Sequence, residues 1–340
     1  NSGGSYHQSL KTFEILSDIN GFDINFLTIN HNINNSKFIN YKLNFLDKLF
    51  FMFYSSNVLK SLLKKYNIQN KFEKFIKKNK IDLIIFLGCS RLSIFCDKIS
   101  FVTYIYELHH IFRPDLPEYK EWTDFDFREL LLKKNIKKAL ALIVDTEKKA
   151  ADLIKFYNSD DKKINIIPLK PNIKKVERKD QSNFDNLDKL LKTKTEYFFY
   201  PAQYWSHKNH FYILLALKTL QEKYNKKINF VFTGHKKNNF KYIIKKTKEF
   251  NLDQQIFFFE YLKDEEISLL YQNCKALVMP SLIGYSSLPL YEAFYFEKPI
   301  FYSKNLLDKS LQNLVNEIDL DNPDDLVFQI SNFENNLSTF

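Results

Sequence analysis

Four side chains in this sequence stand where chemistry could be done: Glu292 and Lys208, each near the start of a helix, and the adjacent pair His109 and His110. The run Ala276-Leu277-Val278-Met279 reads as a buried strand, and the loop after it contains Gly284, Ser286 and Ser287. Leu288 and Pro289 follow, where a first helical turn should begin. A helix N-terminus at the carboxyl end of a strand offers unpaired N–H groups to an anion such as a phosphate. Glu292 lies about one turn into that helix, where a carboxylate could grip a ribose diol. Taken alone, the stretch reads first as an ordinary strand-to-helix turn whose glutamate suits the helix dipole.

Lys208 raises the odds for the phosphate reading. It sits at a second strand-to-helix junction, after the strand ending near Tyr200, and a lysine there can face the same diphosphate as the helix start at Leu288. His109 and His110 close the strand 100–106. No third ligand at a suitable spacing supports a metal, which leaves a general base, an acceptor contact or a pair of hydrogen-bonded loop histidines. Gly3 and Gly4 precede an amphipathic helix, a place where backbone can approach a ligand closely or simply turn.

The elements that must carry these residues alternate. Short apolar runs at 81–87, 100–106, 141–144 and 164–168 are separated by helical stretches, and a second series runs through 197–200, 229–233, 256–259, 276–279 and a last strand at 299–302. The segment 30–41 reads as polar loop. Alternation of this kind is the signature of βαβ units and parallel sheets. The expected organisation is an N-terminal domain at 1–175, a polar linker at 176–190 and a C-terminal domain at 191–340. Two such domains facing each other make a cleft, the default place for a site.

The 340 residues suffice for two full cores, and 45% hydrophobic with 16% aromatic content fits a globular chain. Three cysteines without metal-ligand spacing suggest buried thiols in a reducing compartment. The chain begins at Asn1 without methionine, so an initial strand is expected to precede it. No apolar run approaches the roughly 20 residues that span a bilayer. The net charge of +10 asks for an anionic partner. Lysines at 60, 64, 65, 71, 74, 77, 78 and 80, interleaved with Phe72, Phe75 and Ile76, make a basic amphipathic surface suited to anionic lipid, or a solvated helix face. No nucleic-acid-binding signature accompanies them, so nucleic acid is not expected.

Several stretches resemble the retaining GT-B glycosyltransferases of the glycosyl transferases group 1 family, of the family-four type. Gln203 to Asn209 resembles the family's Arg-x4-Lys-Asn motif, with Lys208 and Asn209 matching and Gln203 standing in the place of Arg. Phe259 to Glu266 with Leu270-Tyr271 is similar to the segment whose backbone contacts the donor base, which brings in Leu262. Gly284 to Glu292 resembles the Glu-x7-Glu signature, with Glu292 as the second Glu and Gly284 in place of the first. Gly3-Gly4 looks like the Gly-rich loop, and His110 matches an acceptor-side histidine.

The resemblance implies an α/β GT-B fold of two Rossmann-like doubly wound domains, the first on the acceptor side and the second holding the donor. It implies retaining transfer of a hexose-type sugar, mannosyl-like as a first guess, from a GDP- or UDP-sugar to a glycan or lipid-linked glycan in surface polysaccharide synthesis. Lys208, His110 and Glu292 are then catalytic. Gly3, Gly4, Gln203, Lys208, Asn209, Leu262, Gly284, Ser286, Ser287, Leu288 and Glu292 line the donor. No cofactor and no metal are expected, and the setting is cytoplasmic or peripheral on the inner face of a membrane. Two rivals stand beside it: a non-catalytic basic glycan- or membrane-binding protein on a decayed transferase fold, and an epimerase of nucleotide sugars.

Overall fold

A computed structural model describes residues 12–30, 37–55, 61–62, 65, 70–119, 122–171, 173–177, 190, 193, 195–260, 262–284, 288–307 and 311–337. The chain divides into two compact units, one made of 1–108 and 122–168, the other of 109–121 and 169–340. The division near residue 168 lies ahead of the 176–190 stretch expected as a linker, and the segment 109–121 joins the second unit.

In the first unit, strands β1 (Phe26–Ile29) and β2 (Phe38–Tyr41) form a parallel pair. Strands β3 (Leu83–Phe86), β4 (Ser100–Tyr104), β5 (Ala141–Val144) and β6 (Ile164–Ile166) form a parallel sheet in sequence order. The pair β1–β2 corrects the reading of 30–41 as loop throughout: four residues in an asparagine-rich stretch gain strand form by pairing with Phe26–Ile29 and packing aromatic rings, with Phe26 and Phe38 stacked at 5.0 Å.

The helix Lys71–Lys78 shows what its lysines can do. Asn70 caps it, accepting from the Glu73 N–H, and Lys77 and Lys78 complement the dipole at its end. Phe72 and Ile76 are fully buried, while Lys71, Lys74, Lys77 and Lys78 are exposed. The apolar face of this helix is already spent on the core, so any contact with lipid made here is electrostatic rather than insertive. Among the described residues, no helix is long and apolar enough to cross a membrane.

The second unit is built on six parallel strands: β7 (Phe198–Pro201), β8 (Phe230–Thr233), β9 (Ile256–Phe259), β10 (Leu277–Met279), β11 (Ile300–Ser303) and β12 (Asn316–Ile318). Their order across the sheet is β12-β11-β10-β7-β8-β9. Strand β12 corrects the expectation that 299–302 is the last strand; it is short and polar because it lies at an edge, where only one neighbour and little core demand apolar residues. The helix Pro323–Leu337 closes the unit, with Pro323 at its start and Asp324 and Asp325 in its first turn. Strands β7, β8 and β10 read as continuous apolar runs because covered parallel strands are buried on both faces; every residue of β8 is buried.

This order, with β7 first and β10 fourth, is that of a doubly wound α/β sheet. The chain reverses direction across the sheet between β7 and β10, so the loops after these two strands diverge and leave a crevice at their carboxyl ends. Lys208 follows β7 and Gly284 follows β10.

A candidate donor site at the switch point of the second sheet

The loop after β7 is held from below. A short 3₁₀ turn, Ser206–Lys208, follows Trp205, and Asn209 takes a left-handed conformation (φ 53°, ψ 39°) before the helix His210–Tyr224 begins. Asparagine tolerates that geometry better than most residues. Tyr200, fully buried on β7, donates its hydroxyl to the Lys208 carbonyl at 2.8 Å and lies 3.1 Å from Ser281 Oγ. The two switch-point loops are therefore tied to one side chain. Leu282 N–H donates to the His207 carbonyl at 2.8 Å, a direct backbone link between the loops. Ser303 Oγ donates to the Ser281 carbonyl and Tyr302 to the Gly284 carbonyl, at 2.7 and 2.6 Å, fixing the β10 loop from the β11 side.

His210 is buried beneath the loop. Its ring lies 4.7 Å from that of Tyr204 and 4.8 Å from that of Tyr200. Burial, with Lys208 adding to it, pushes its pKa down to about 3, so it is a neutral packing group. Gln203 Oε1 accepts from the indole N–H of Trp205 at 3.0 Å.

Gly234, at the end of β8, has φ of +151°, and a Cβ there would lie 2.5 Å from the Ala202 carbonyl oxygen and 2.8 Å from the Gln203 nitrogen. Its own N–H donates to the Glu260 carbonyl at 3.0 Å. The backbone of the Lys208 loop thus rests directly on this glycine.

Glu292 lies in the helix Leu288–Tyr295, half-buried, and accepts the Tyr271 hydroxyl at 2.9 Å. Burial pushes its carboxyl up to about 7, the Tyr271 hydroxyl works against this, and the charge of Asp264 adds to it. Leu288 opens the helix, and Leu262 packs at the rim of the core.

The structure brings His109, rather than His110, to the β10 loop. A Cβ placed on Gly284 (φ +110°) would meet His109 Nε2 at 3.5 Å, and the His109 ring lies 5.7 Å from that of His207. His110 is buried beside the Tyr119 ring. Glu118 was not expected as a site residue at all. Its Oε1 accepts from both the backbone N–H and Nδ1 of His207, at 3.2 and 3.0 Å. Leu116, Tyr119 and Ile283 pack together and hold the Glu118 segment against the β10 loop. Gly3, Gly4, Ser286 and Ser287 lie outside the described residues. Among the described residues, no group of three or more His, Cys, Asp and Glu side chains is arranged to hold a metal ion.

Lys208, Asn209, Gly284, Leu288 and Glu292 thus belong to the two loops and the helix start that the strand order brings to one crevice. Residues 182–308 match the family model described as glycosyl transferases group 1. No curated protein matches the sequence. Among solved structures, the sucrose-phosphate synthase of Thermosynechococcus elongatus is similar at 15% identity, with a TM-score of 0.72, covering 97% of this chain and 84% of that one. WaaG, a glycosyltransferase involved in lipopolysaccharide biosynthesis, is similar at 14% identity and TM-score 0.60, over 89% of this chain and 78% of its own. HepE of Anabaena, solved in complex with UDP-glucose, is similar at 13% identity and TM-score 0.61, over 92% and 90%. The fold is that of the GT-B glycosyltransferases, an α/β architecture with parallel sheets, as the alternation of elements and the motifs around Lys208 and Glu292 imply.

Proposed function

We propose that the protein transfers a hexose from a nucleoside diphosphate sugar to a hydroxyl of a glycan or lipid-linked glycan, with the anomeric configuration retained. The observation that carries this reading is the convergence of Lys208, the loop at Gly284 and the helix start at Leu288 at the switch point of a six-stranded parallel sheet, within the segment that matches the glycosyl transferases group 1 model. In the reaction the bond from C1 of the sugar to the diphosphate oxygen breaks, and a bond from the acceptor oxygen to C1 forms. The acceptor's proton passes to the departing diphosphate. Negative charge grows on that diphosphate, and Lys208 with the N–H groups at Leu288 stabilises it where it develops. Glu292 holds the ribose diol. His110, or its neighbour His109, serves the acceptor side.

The sequence leaves GDP and UDP open as the nucleotide, with a mannosyl-like sugar as the first expectation; the likeness to HepE, solved with UDP-glucose, supports UDP. Surface polysaccharide synthesis at the inner face of a membrane fits the exposed lysines of the helix Lys71–Lys78, which would draw the protein to an anionic surface. Calorimetric titration of the full chain with UDP, GDP, UDP-glucose and GDP-mannose tests the donor reading; no heat with any of the four overturns it.

The carboxyl of Glu292 gives a second check. A ribose diol donates its hydrogen bonds to the ionised carboxylate, whereas below a pKa of about 7 the carboxyl carries a proton. Binding of a nucleotide sugar, whose diphosphate does not titrate near neutrality, therefore releases a proton at pH 6, and its affinity rises with pH and levels off above 7. Titrations in buffers of different ionisation enthalpy read the released proton. Glu292→Gln removes the pH dependence in this window. Tyr271→Phe removes a hydrogen bond that favours the ionised form, so its midpoint moves to higher pH. An affinity that is flat from pH 5.5 to 8 in the unsubstituted protein sinks the ribose role.

A further inference from the structure

Resting on the reading of the switch point as a donor site, we propose that Glu118 and His207 form a dyad that presents the imidazole Nε2 of His207 as a hydrogen-bond acceptor to a hydroxyl of the transferred sugar.

The direction of the donor follows from the order of the binding features along the chain. Glu292, about one turn into the helix Leu288–Tyr295, takes the ribose, and the first N–H groups at Leu288 take the diphosphate. The sugar beyond the diphosphate then extends toward the segment that precedes the helix, where Gly284 offers no side chain. Among the described residues, two histidines of the second unit stand near Gly284, one directly and one through the other. They are His109, whose Nε2 faces the missing Cβ at 3.5 Å, and His207, whose ring lies 5.7 Å from that of His109. The backbone bond from Leu282 N–H to the His207 carbonyl keeps His207 beside this loop.

Glu118 decides what His207 can do. An ionised carboxylate only accepts, so the hydrogen on Nδ1 points to Glu118 Oε1 at 3.0 Å. Burial pushes the Glu118 carboxyl up, but the hydrogen bonds from His207 outweigh it and hold the carboxyl below its usual range, so it is ionised near neutrality. Burial pushes the His207 imidazole down to about 4; Glu118 partly offsets this, and the charges of Lys208 and His109 add to the depression. A neutral imidazole with its hydrogen fixed on Nδ1 has its lone pair on Nε2, which accepts no hydrogen bond from the other described residues. The pairing is that of an orienting carboxylate and an imidazole, as in catalytic dyads and triads. The low basicity suits a fixed acceptor better than a proton carrier. Glu118 is well placed to hold that orientation: its side chain is 7% exposed, it receives a second bond from the His207 N–H, and Leu116, Tyr119 and Ile283 lock its segment in place.

Glu118 is thus a positioning residue and His207 a sugar-contacting one, and the experiment separates the two roles from simple loss of fold. The full chain is titrated calorimetrically with UDP and with GDP, then with UDP-glucose or GDP-mannose to match the nucleotide that binds. The quantity read is the gain in affinity from adding the sugar. His207→Phe and Glu118→Ala reduce that gain about ten-fold, with affinity for the bare nucleotide within two-fold of the unsubstituted protein. Glu118→Gln, whose amide oxygen still accepts from Nδ1, restores most of the gain. Equal loss of affinity for nucleotide and nucleotide sugar in both variants overturns the dyad, since it means that Glu118 and His207 only brace the Lys208 loop. An unchanged gain in His207→Phe overturns it as well. Failure of the unsubstituted chain to bind any nucleotide overturns the transferase reading, and the dyad with it.

Discussion

Lys208→Ala lowers the rate of sugar transfer by about a hundred- to a thousand-fold and leaves the unfolding temperature within a degree or two of the unsubstituted protein. The magnitude follows from the removal of one preorganised charge from a developing oxyanion, roughly 3–4 kcal/mol of transition-state stabilisation. The fold should survive because Lys208 is held through its backbone. Its carbonyl accepts from Tyr200, and its N–H donates to the Trp205 carbonyl at 3.0 Å. Its side chain is half-exposed, so truncation opens no cavity in the core. Steady-state transfer with a saturating nucleotide sugar, beside a thermal melt, makes the comparison. A variant that transfers sugar at near-normal rate removes Lys208 from the mechanism.

Gly234→Ala has the larger effect on the molecule itself. A methyl group at this position would sit 2.5 Å from the Ala202 carbonyl oxygen and 2.7 Å from its carbon, both backbone atoms with no rotamer to yield. The φ of +151° adds strain for any L side chain. Overpacking of a rigid site with such strain costs about 3 kcal/mol or more. For a unit of this size that lowers the unfolding temperature by roughly 6–12 °C. What moves to relieve the clash is the segment at Ala202–Gln203, which leads into the Lys208 turn, so nucleotide affinity falls along with stability. An unchanged melt and unchanged binding would mean that the β8–β7 contact is looser than its geometry.

Both residues were legible to different degrees from the chain alone. The place of Lys208 in the fold is legible because its signal is local: a lysine in a strand-to-helix turn. Glu292 was legible for the same reason. Gly234 ends a buried strand and carries only a weak local signal, since its role is a close approach to a backbone 32 residues earlier. Glu118 and His207 are 89 residues apart, and nothing in either neighbourhood announces the pair. The strand order that brings Lys208 and Gly284 together is likewise a non-local property; alternation of elements predicts parallel strands but not which two lie side by side. The strands β2 and β12 escaped notice because three or four residues with polar neighbours give no periodicity to read. Their strand form comes from pairing with β1 and β11. Pro323 and the aspartates after it are a local mark of the helix start at Pro323–Leu337.

The membership of residues 109–121 in the second unit bears on how the protein is made. These residues leave the ribosome well before the strands they pack against have been synthesised. The first unit is complete in sequence at residue 168, yet the chain at that stage still carries an internal loop whose apolar residues, Leu116 and Tyr119, have no Ile283 to cover them. The newborn chain therefore displays this loop until about 115 further residues have emerged, roughly 6–23 seconds at common rates of synthesis. In that interval Glu118 waits for its histidine, and the uncovered apolar side chains add to the surface through which an incomplete chain aggregates.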